Sequence, residues 1–372
     1  MAEYKVVITA RSFGKADDKA YDCLRKAGCE WVKLNEADGP VEEQLRDAIK
    51  DADALIAGLE DIDAETINRA EKLKVISRYG VGYDKVDLAA ARQKGIQVTI
   101  TPGANGDSVA DLAVALMLDV ARNVTIMDGS IKARSQKRPQ GLEMFEKTLG
   151  IIGAGRIGQG VGRRCRGFNM KILAYDVFED ESFKKETGAE YVDIETLLRE
   201  SDFITVHSPL TEETHNMIST EQFKIMKKDA ILVNTARGGV IDEEALYAAL
   251  ESGEIRGAAL DATVDEPPYD SPLMGCENCI LTPHAGAGTR EASSRMSLMA
   301  AENAVCVLEG GECRFNVAKE NTGENRRFGR NRYGKEFYRF NRQESNRNRC
   351  SPGTQPRNGG RPDGGRRGGG NH

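Results

Sequence analysis

The stretch Thr148 to Asp176, TLGIIGAGRIGQGVGRRCRGFNMKILAYD, constrains the fold more than any other part of the chain. It opens with an apolar run, Leu149 to Ile152, short enough for a buried parallel strand. Gly153-Ala154-Gly155-Arg156-Ile157-Gly158 follows, then a helix-compatible segment to Phe168 and a second apolar strand, 171–175, that stops at Asp176. The spacing predicts a βαβ unit with G-x-G-x-x-G at the strand-to-helix turn and an acidic residue about twenty positions on. Gly153 permits the tight turn, Gly155 lets the main chain approach a pyrophosphate, and Gly158 lets the helix pack close to the strand. The helix start turns its N–H groups and dipole toward phosphates. Asp176 can accept hydrogen bonds from both hydroxyls of an adenosine ribose and would repel a 2′-phosphate, and Val177-Phe178-Glu179-Asp180 brings no cation. The expected cofactor is therefore NAD rather than NADP. Many glycine-rich turns bind nothing, but here strand, helix, second strand and acid fall in register.

With 372 residues the chain is long for one core, so two domains are expected. A hydrophobic fraction of 40% and a charged fraction of 30% fit a soluble globular protein. Residues 1–14 carry no charged-then-apolar signal pattern, and the run Leu112 to Leu118 is too short to span a bilayer, so no membrane partner is expected. Eight scattered cysteines without a secretory signal imply reduced thiols and a cytoplasmic setting. Cys276 and Cys279 form an isolated C-x-x-C with no second ligand pair nearby, so no metal is expected. The net charge of −6 hides an asymmetry: 319–372 holds 14 Lys or Arg against 5 Asp or Glu, a balance of +9, which leaves −15 for the rest. The acidic body is a poor nucleic-acid binder by itself.

Candidate strands at 5–9, 30–34, 54–57, 75–78 and 97–100 alternate with helical stretches at 19–27, 41–50, 64–72 and 88–94. This rhythm reads as a small parallel sheet covered by helices. Arg78-Tyr79-Gly80-Val81-Gly82-Tyr83-Asp84 follows the fourth strand as a Gly-rich turn; its N–H groups could hold an anion, and a plain tight turn explains the glycines equally well. Thr101-Pro102-Gly103-Ala104-Asn105-Gly106 breaks the pattern, and a helix is expected at 108–123 with Ser108 as its cap. Further strands at 203–206, 230–234, 255–260 and 279–281 end in His207-Ser208-Pro209, Thr235-Ala236-Arg237, Asp261 and Pro283-His284, where a doubly wound sheet carries its functional residues. A last helix, 290–309, is expected to pack on the first sheet. The tail from Lys319 contains no Ala, Val, Leu, Ile or Met and cannot bury enough surface to fold. Its basic, aromatic-interleaved composition permits RNA binding, but a solvated tail or a translated frameshift is the preferred reading.

Arg237, Glu266 and His284 have the chemistry for hydride exchange between NAD and a 2-hydroxy acid. A guanidinium can hold the carboxylate and polarise the carbonyl, an imidazole can move the hydroxyl proton, and a carboxylate can orient that imidazole. Of the four histidines, His372 ends the tail, His215 reads as surface, and His207 reads as a structural hydrogen-bonding residue. His284 has a Thr-Pro lead-in and an acidic residue upstream; on spacing alone a satisfied core histidine explains it as well.

Together the strings GIIGAGRIG, HSPLTEETHNMI, VNTARGGVIDEEAL, GAALDATVDEPP, LTPHAGAGTREA, RYGVGYDKVDL and TPGANGDSVADLAVALML resemble the D-isomer-specific 2-hydroxyacid dehydrogenase family, over residues 4 to about 317 and in order. The resemblance implies two doubly wound parallel-sheet α/β domains: a discontinuous flavodoxin-like substrate domain, 1–101 plus 287–318, and a Rossmann NAD-binding domain, 102–286, with 319–372 as a disordered tail. It implies Arg237 on the substrate carboxylate, His284 as acid/base and Glu266 as its partner. It also implies Val81 and Gly82 main-chain N–H groups on the carboxylate. Gly153, Gly155, Arg156, Ile157, Gly158, Asp176, Ser208, Pro209, Thr235, Ala236 and Asp261 would line the NAD site. A homodimer through the NAD domain follows from the same resemblance. Arg78 and TPGAN look like the phosphoglycerate dehydrogenase branch, with Arg78 at the substrate. That branch tends to carry cations after the third strand, whereas Gly58-Leu59-Glu60-Asp61 offers two acids. A small unphosphorylated 2-keto acid, hydroxypyruvate or glyoxylate, is therefore preferred to 3-phosphoglycerate. The alternative is an NAD(H)-responsive corepressor-like binding protein of the same fold.

Overall fold

Glu3 to Lys319 are described by the computed structural model; apart from Lys319, the expected tail lies outside the described residues. Strands β1 (Tyr4–Ile8), β2 (Cys29–Lys33), β3 (Ala54–Ala57), β4 (Val75–Arg78) and β5 (Gln97–Thr99) form one parallel sheet in the order β2-β1-β3-β4-β5. Every residue of β3 and β4 is buried, as an unbroken ALIA or VIS run requires when helices cover both faces. Two of the covering helices start on side-chain caps: Asp63 accepts from Thr66 N and Asp87 from Ala90 N. The helix Arg290–Leu308 also lies against this sheet. Ser77 Oγ donates to the Ala300 carbonyl at 2.9 Å, Asn303 Nδ2 to the Ile100 carbonyl at 3.0 Å, and Val317 N to the Val98 carbonyl at 2.7 Å.

The second parallel sheet contains β6 (Thr148–Ile152), β7 (Lys171–Tyr175), β8 (Glu190–Tyr191), β9 (Phe203–Val206), β10 (Ile231–Asn234), β11 (Gly257–Leu260) and β12 (Cys279–Leu281). Their order is β12-β11-β10-β9-β6-β7-β8. Strand order reverses between β6 and β9 here, and between β1 and β3 in the first sheet. Ligands of such sheets sit beyond the carboxyl ends of the strands at these reversals. The fold is thus two doubly wound parallel-sheet α/β lobes.

The glycine turn after β6 has the expected division of labour. Gly153 adopts φ +91°, and a Cβ there would lie 2.7 Å from the carbonyl carbon of His207. A Cβ on Gly158 would collide with the Gly153 carbonyl, whereas one on Gly155 meets no heavy atom within 4 Å. The tight packing is therefore at Gly158, and the open approach is at Gly155.

Two local expectations are corrected. The long helix runs Gly106–Arg122 with Asn105 at its N-cap, not from a Ser108 cap. Ser108 is buried one turn inside, with its hydroxyl 2.7 Å from that of Thr289, a partner on another element that a local reading cannot see. The helix then ends on Asn123 in the left-handed region (φ 54°), and an unanticipated helix, Val124–Lys132, starts from the same residue. No helix among the described residues is long and apolar enough to cross a membrane. Gly158→Ala should cost about 1–3 kcal/mol in a denaturant melt, the usual penalty of overpacking. Gly155→Ala should stay within about 0.5 kcal/mol of the parent, as for an uncrowded surface change.

Candidate active site

The carboxyl ends of the two sheets are linked by Arg237, which runs from the end of β10 to Asp84 in the turn after β4. On the dinucleotide side, Gly155 precedes the helix Arg156–Cys165, which therefore points its N-terminus at the glycine turn. Asp176, at the end of β7, is partly exposed and accepts from Phe178 N at 3.1 Å. Asp180 is turned away: its Oδ1 accepts from Ser182 N and Phe183 N and caps the helix Glu181–Thr187. Of these two acids, only Asp176 stands at the strand end where a ribose would arrive. Ile157 lies beside the turn, Ser208 and Pro209 follow β9, and Thr235 and Ala236 follow β10. His207 has the hydrogen-bonding environment expected of it, with Nε2 2.9 Å from Thr205 Oγ1 and Nδ1 3.3 Å from Thr235 Oγ1. Loss of solvent around the ring pushes its pKa down to about 3, so it stays neutral and links the ends of β9 and β10. The room at Gly155, the helix N-terminus and the carboxylate at Asp176 fit a dinucleotide.

His284 and Glu266 form a pair, Nδ1 to Oε1 at 2.8 Å, with about a quarter of each side chain exposed. Burial pushes the Glu266 carboxyl up, but the hydrogen bond and charge of His284, aided by Lys85, outweigh it and leave the carboxyl below its usual range. His284 stands in the left-handed region at φ +49°, a conformation disfavoured for a residue with a Cβ. Buried Asp261 holds it there. Its Oδ1 accepts from Thr282 Oγ1 (2.6 Å) and Ala285 N (2.7 Å), and its Oδ2 from Gly286 N (2.8 Å). The loop bearing Glu266 is fixed by Glu243, whose Oε1 accepts from Val264 N at 2.7 Å, and by Thr263 Oγ1, which donates to the Asp265 carbonyl at 2.7 Å.

Arg237 leaves the end of β10 and reaches the first sheet. Its Nε donates to Asp84 Oδ1 at 3.1 Å and its Nη1 to the Ala236 carbonyl at 2.7 Å, while its Nη2 occupies the space a Cβ on Gly82 would need. Buried Asn234 shapes the turn that launches it, donating to the Arg237 carbonyl (2.8 Å) and accepting from Ala236 N (2.9 Å). Burial pushes the Asp84 carboxyl up, and the Arg237 charge overcomes that and lowers it. Val81 and Gly82 thus lie in the turn directly facing the guanidinium. Arg78 sits deeper, 4% exposed, donating from Nε to the Gly82 carbonyl (3.0 Å) and from Nη1 to the Gly58 carbonyl.

The turn after β4 therefore meets both chemical groups: Asp84 pairs with Arg237, and Lys85 acts on Glu266. Sequence reasoning passed over Asp84, Asn234, Glu243 and Thr282, although all four lie inside the motif strings. Cys276 and Cys279 are free thiols, and no His/Cys/Asp/Glu cluster among the described residues could hold a metal.

Residues 114–286 match the model of the D-isomer specific 2-hydroxyacid dehydrogenase, NAD binding domain. The chain is 47% identical over 279 residues to a glyoxylate reductase of Korarchaeum cryptofilum, covering 73% of this chain and 84% of that protein. It is also 47% identical over 279 residues to a D-3-phosphoglycerate dehydrogenase of Methanocaldococcus jannaschii, covering 74% of this chain but only 53% of that longer protein. The crystal structure of a glyoxylate reductase from Paecilomyes thermophila superposes with a TM-score of 0.74 at 30% identity, covering 85% of this chain and 99% of that one. The chain therefore belongs to the D-isomer-specific 2-hydroxyacid dehydrogenase family, and its seven-stranded lobe carries that family's NAD-binding domain.

Proposed function

We propose that this NAD-dependent dehydrogenase reduces a small unphosphorylated 2-keto acid, hydroxypyruvate or glyoxylate, in preference to exchanging hydride with 3-phosphoglycerate. The observation that carries the reading is the 2.8 Å His284–Glu266 pair on one side of a cleft whose other side is the Arg237 guanidinium laid over Gly82. The glyoxylate reductase relatives support the substrate class.

NAD, when bound, supplies or takes the hydride. The protein's own groups do the rest. Arg237 holds the carboxylate and polarises the carbonyl through its fork of donors. Val81 and Gly82 offer main-chain N–H groups to the same carboxylate. His284, whose Nδ1 is committed to Glu266, presents Nε2 to the keto oxygen and delivers its proton as the alkoxide charge develops. Oxidation runs the same transfer backwards. Asp261 serves by holding the left-handed turn that aims the imidazole. Gly153, Gly155 and Gly158, with Arg156 and Ile157, would seat the pyrophosphate. Asp176 would take the ribose, and Ser208, Pro209, Thr235 and Ala236 would line the rest of the cofactor's path. The five-stranded lobe, with 287–318 packed on it, serves as the substrate lobe, and 102–286 as the cofactor lobe.

A homodimer through the cofactor lobe is supported by apolar side chains left at the surface around the helix Val124–Lys132: Val124 and Phe145 are each 51% exposed and Ile131 is 64% exposed.

NADH oxidation measured across glyoxylate, hydroxypyruvate, pyruvate, 2-ketoglutarate and phosphohydroxypyruvate tests the substrate reading; fastest turnover of phosphohydroxypyruvate would reverse it. Arg237→Ala should raise KM and lower kcat together, with a loss in kcat/KM of about 10²–10³-fold; a change in neither removes Arg237 from the site. Glu266→Gln replaces the carboxylate that orients His284 with a neutral amide and should lower kcat for reduction by about tenfold or more. An unchanged kcat in steady-state assays would separate Glu266 from the proton transfer.

A further inference from the structure

At the strand-order reversal of the five-stranded sheet, three polar side chains interlock out of solvent. Thr9 follows β1 and is 3% exposed, Glu60 lies in the loop after β3 and is 9% exposed, and Arg78 ends β4. Glu60 does not reach into the cleft as its position in an acidic loop suggests. Its Oε1 folds back to accept from Thr9 Oγ1 and, at 3.0 Å, from Gly58 N. A Cβ on Gly58 would lie 2.9 Å from Glu60 Oε2 and 3.2 Å from Ala10 Cα, so the glycine makes the fold-back possible. Arg78 lies in the same layer and ties the Gly58 carbonyl to the Gly82 carbonyl, which joins the Glu60 loop to the turn under Arg237. Burial disfavours the Arg78 charge and Arg237 adds to that, whereas Glu60, Asp84 and Asp61 favour it.

We propose that Glu60 is the specificity-determining residue that confines the cleft to keto acids whose carboxylate is their sole anion. The inference rests on the reading of the cleft as a keto-acid site. Arg237 is the cation for the carboxylate. A second anion, carried on C3 toward the strand-order reversal, would meet Arg78, a guanidinium whose charge Glu60 already compensates and whose Nε and Nη1 are committed to carbonyls. Glu60 itself, with its Oε1 held by Thr9 Oγ1 and Gly58 N, cannot swing away from the incoming charge. Discrimination thus comes from a repulsive element built under the site, which rejects dianions without weakening the carboxylate contact. Asp61, in the exposed part of the same loop, adds to the field but is screened by water.

Hydroxypyruvate and phosphohydroxypyruvate differ by the phosphate alone and make the test. The readout is the ratio of their kcat/KM values with NADH for the unsubstituted enzyme, Glu60→Gln and Asp61→Asn. Glu60→Gln keeps the shape and one acceptor and should move the ratio toward the phosphorylated substrate by about tenfold or more. The change should appear in the KM of phosphohydroxypyruvate, since the phosphate is present in ground and transition states alike. Asp61→Asn should move it about two- to threefold in the same direction. A ratio in folded Glu60→Gln within about twofold of the unsubstituted enzyme overturns the proposal, because a like charge removed from a dry site must be felt. Should Glu60→Gln fail to fold, Asp61→Asn decides, and an unmoved ratio there overturns it. If the unsubstituted enzyme reduces no keto acid, the functional reading itself fails; if it reduces hydroxypyruvate well and the ratio does not move, Glu60 alone is displaced.

Discussion

The guanidinium of Arg237 lying on the bare backbone of Gly82 is the contact on which the site depends, because it is where the two sheets touch chemically. One group comes from the end of β10, the other from the turn after β4, and any side chain on Gly82 would occupy the place of Nη2. Asp84 completes the contact by accepting from Nε, while the Ala236 carbonyl accepts from Nη1, so the fork is fixed in one orientation with Nη2 on Gly82. A carboxylate bound here, as proposed, would be met by groups from both lobes together. That suits an enzyme that must exclude water while hydride moves, since substrate binding and lobe approach draw on the same interaction.

The proton-transfer group is held by a different device. His284 occupies a backbone conformation that costs on the order of 1–3 kcal/mol for a residue with a side chain, and it persists because Asp261 binds the turn through both oxygens. Three short hydrogen bonds to one buried carboxyl group offset that strain. Asp261 is thus embedded in the protein's own hydrogen bonding before any cofactor arrives. Its contribution runs through the set of the imidazole, and Glu266 then takes Nδ1, which leaves Nε2 as the nitrogen for the proposed proton transfer.

Much of this was legible in the sequence because it is local. The βαβ unit at 148–176 fixes its own strands, turn and acid through spacing, and β3, β4, β9 and β12 begin and end where their apolar runs do. Arg237 and His284 stood out because each comes just after a strand, and Glu266 because it is the acid that can orient an imidazole. What escaped detection depends on distant partners. Ser108 looked like a cap because its partner Thr289 is far along the chain. Asp84 looked like a turn residue because Arg237 arrives from another sheet. Glu60 looked like an acid facing the substrate because nothing in the loop reveals that Thr9 is waiting under it. Arg78 could be placed at the site by its string but not at its depth, which burial and two carbonyl acceptors decide.

The linker between the sheets extends the same logic from the substrate to the cofactor. Thr101 N donates to the Gly80 carbonyl at 2.8 Å, so the linker begins on the turn that faces the substrate. Two residues on, the guanidinium of Arg156, from the first turn of the dinucleotide helix, lies against Gly103, and Arg295 from the last helix donates to the Ala104 carbonyl at 2.8 Å. Within four residues the linker is thus tied to the substrate turn, to the phosphate end of the cofactor helix and to the helix packed on the first sheet. This strap fastens the first turn of the helix Arg156–Cys165 to a segment that starts on Gly80, two residues from the glycine under Arg237, so the glycine turn of one lobe and the Gly82 turn of the other share one four-residue support.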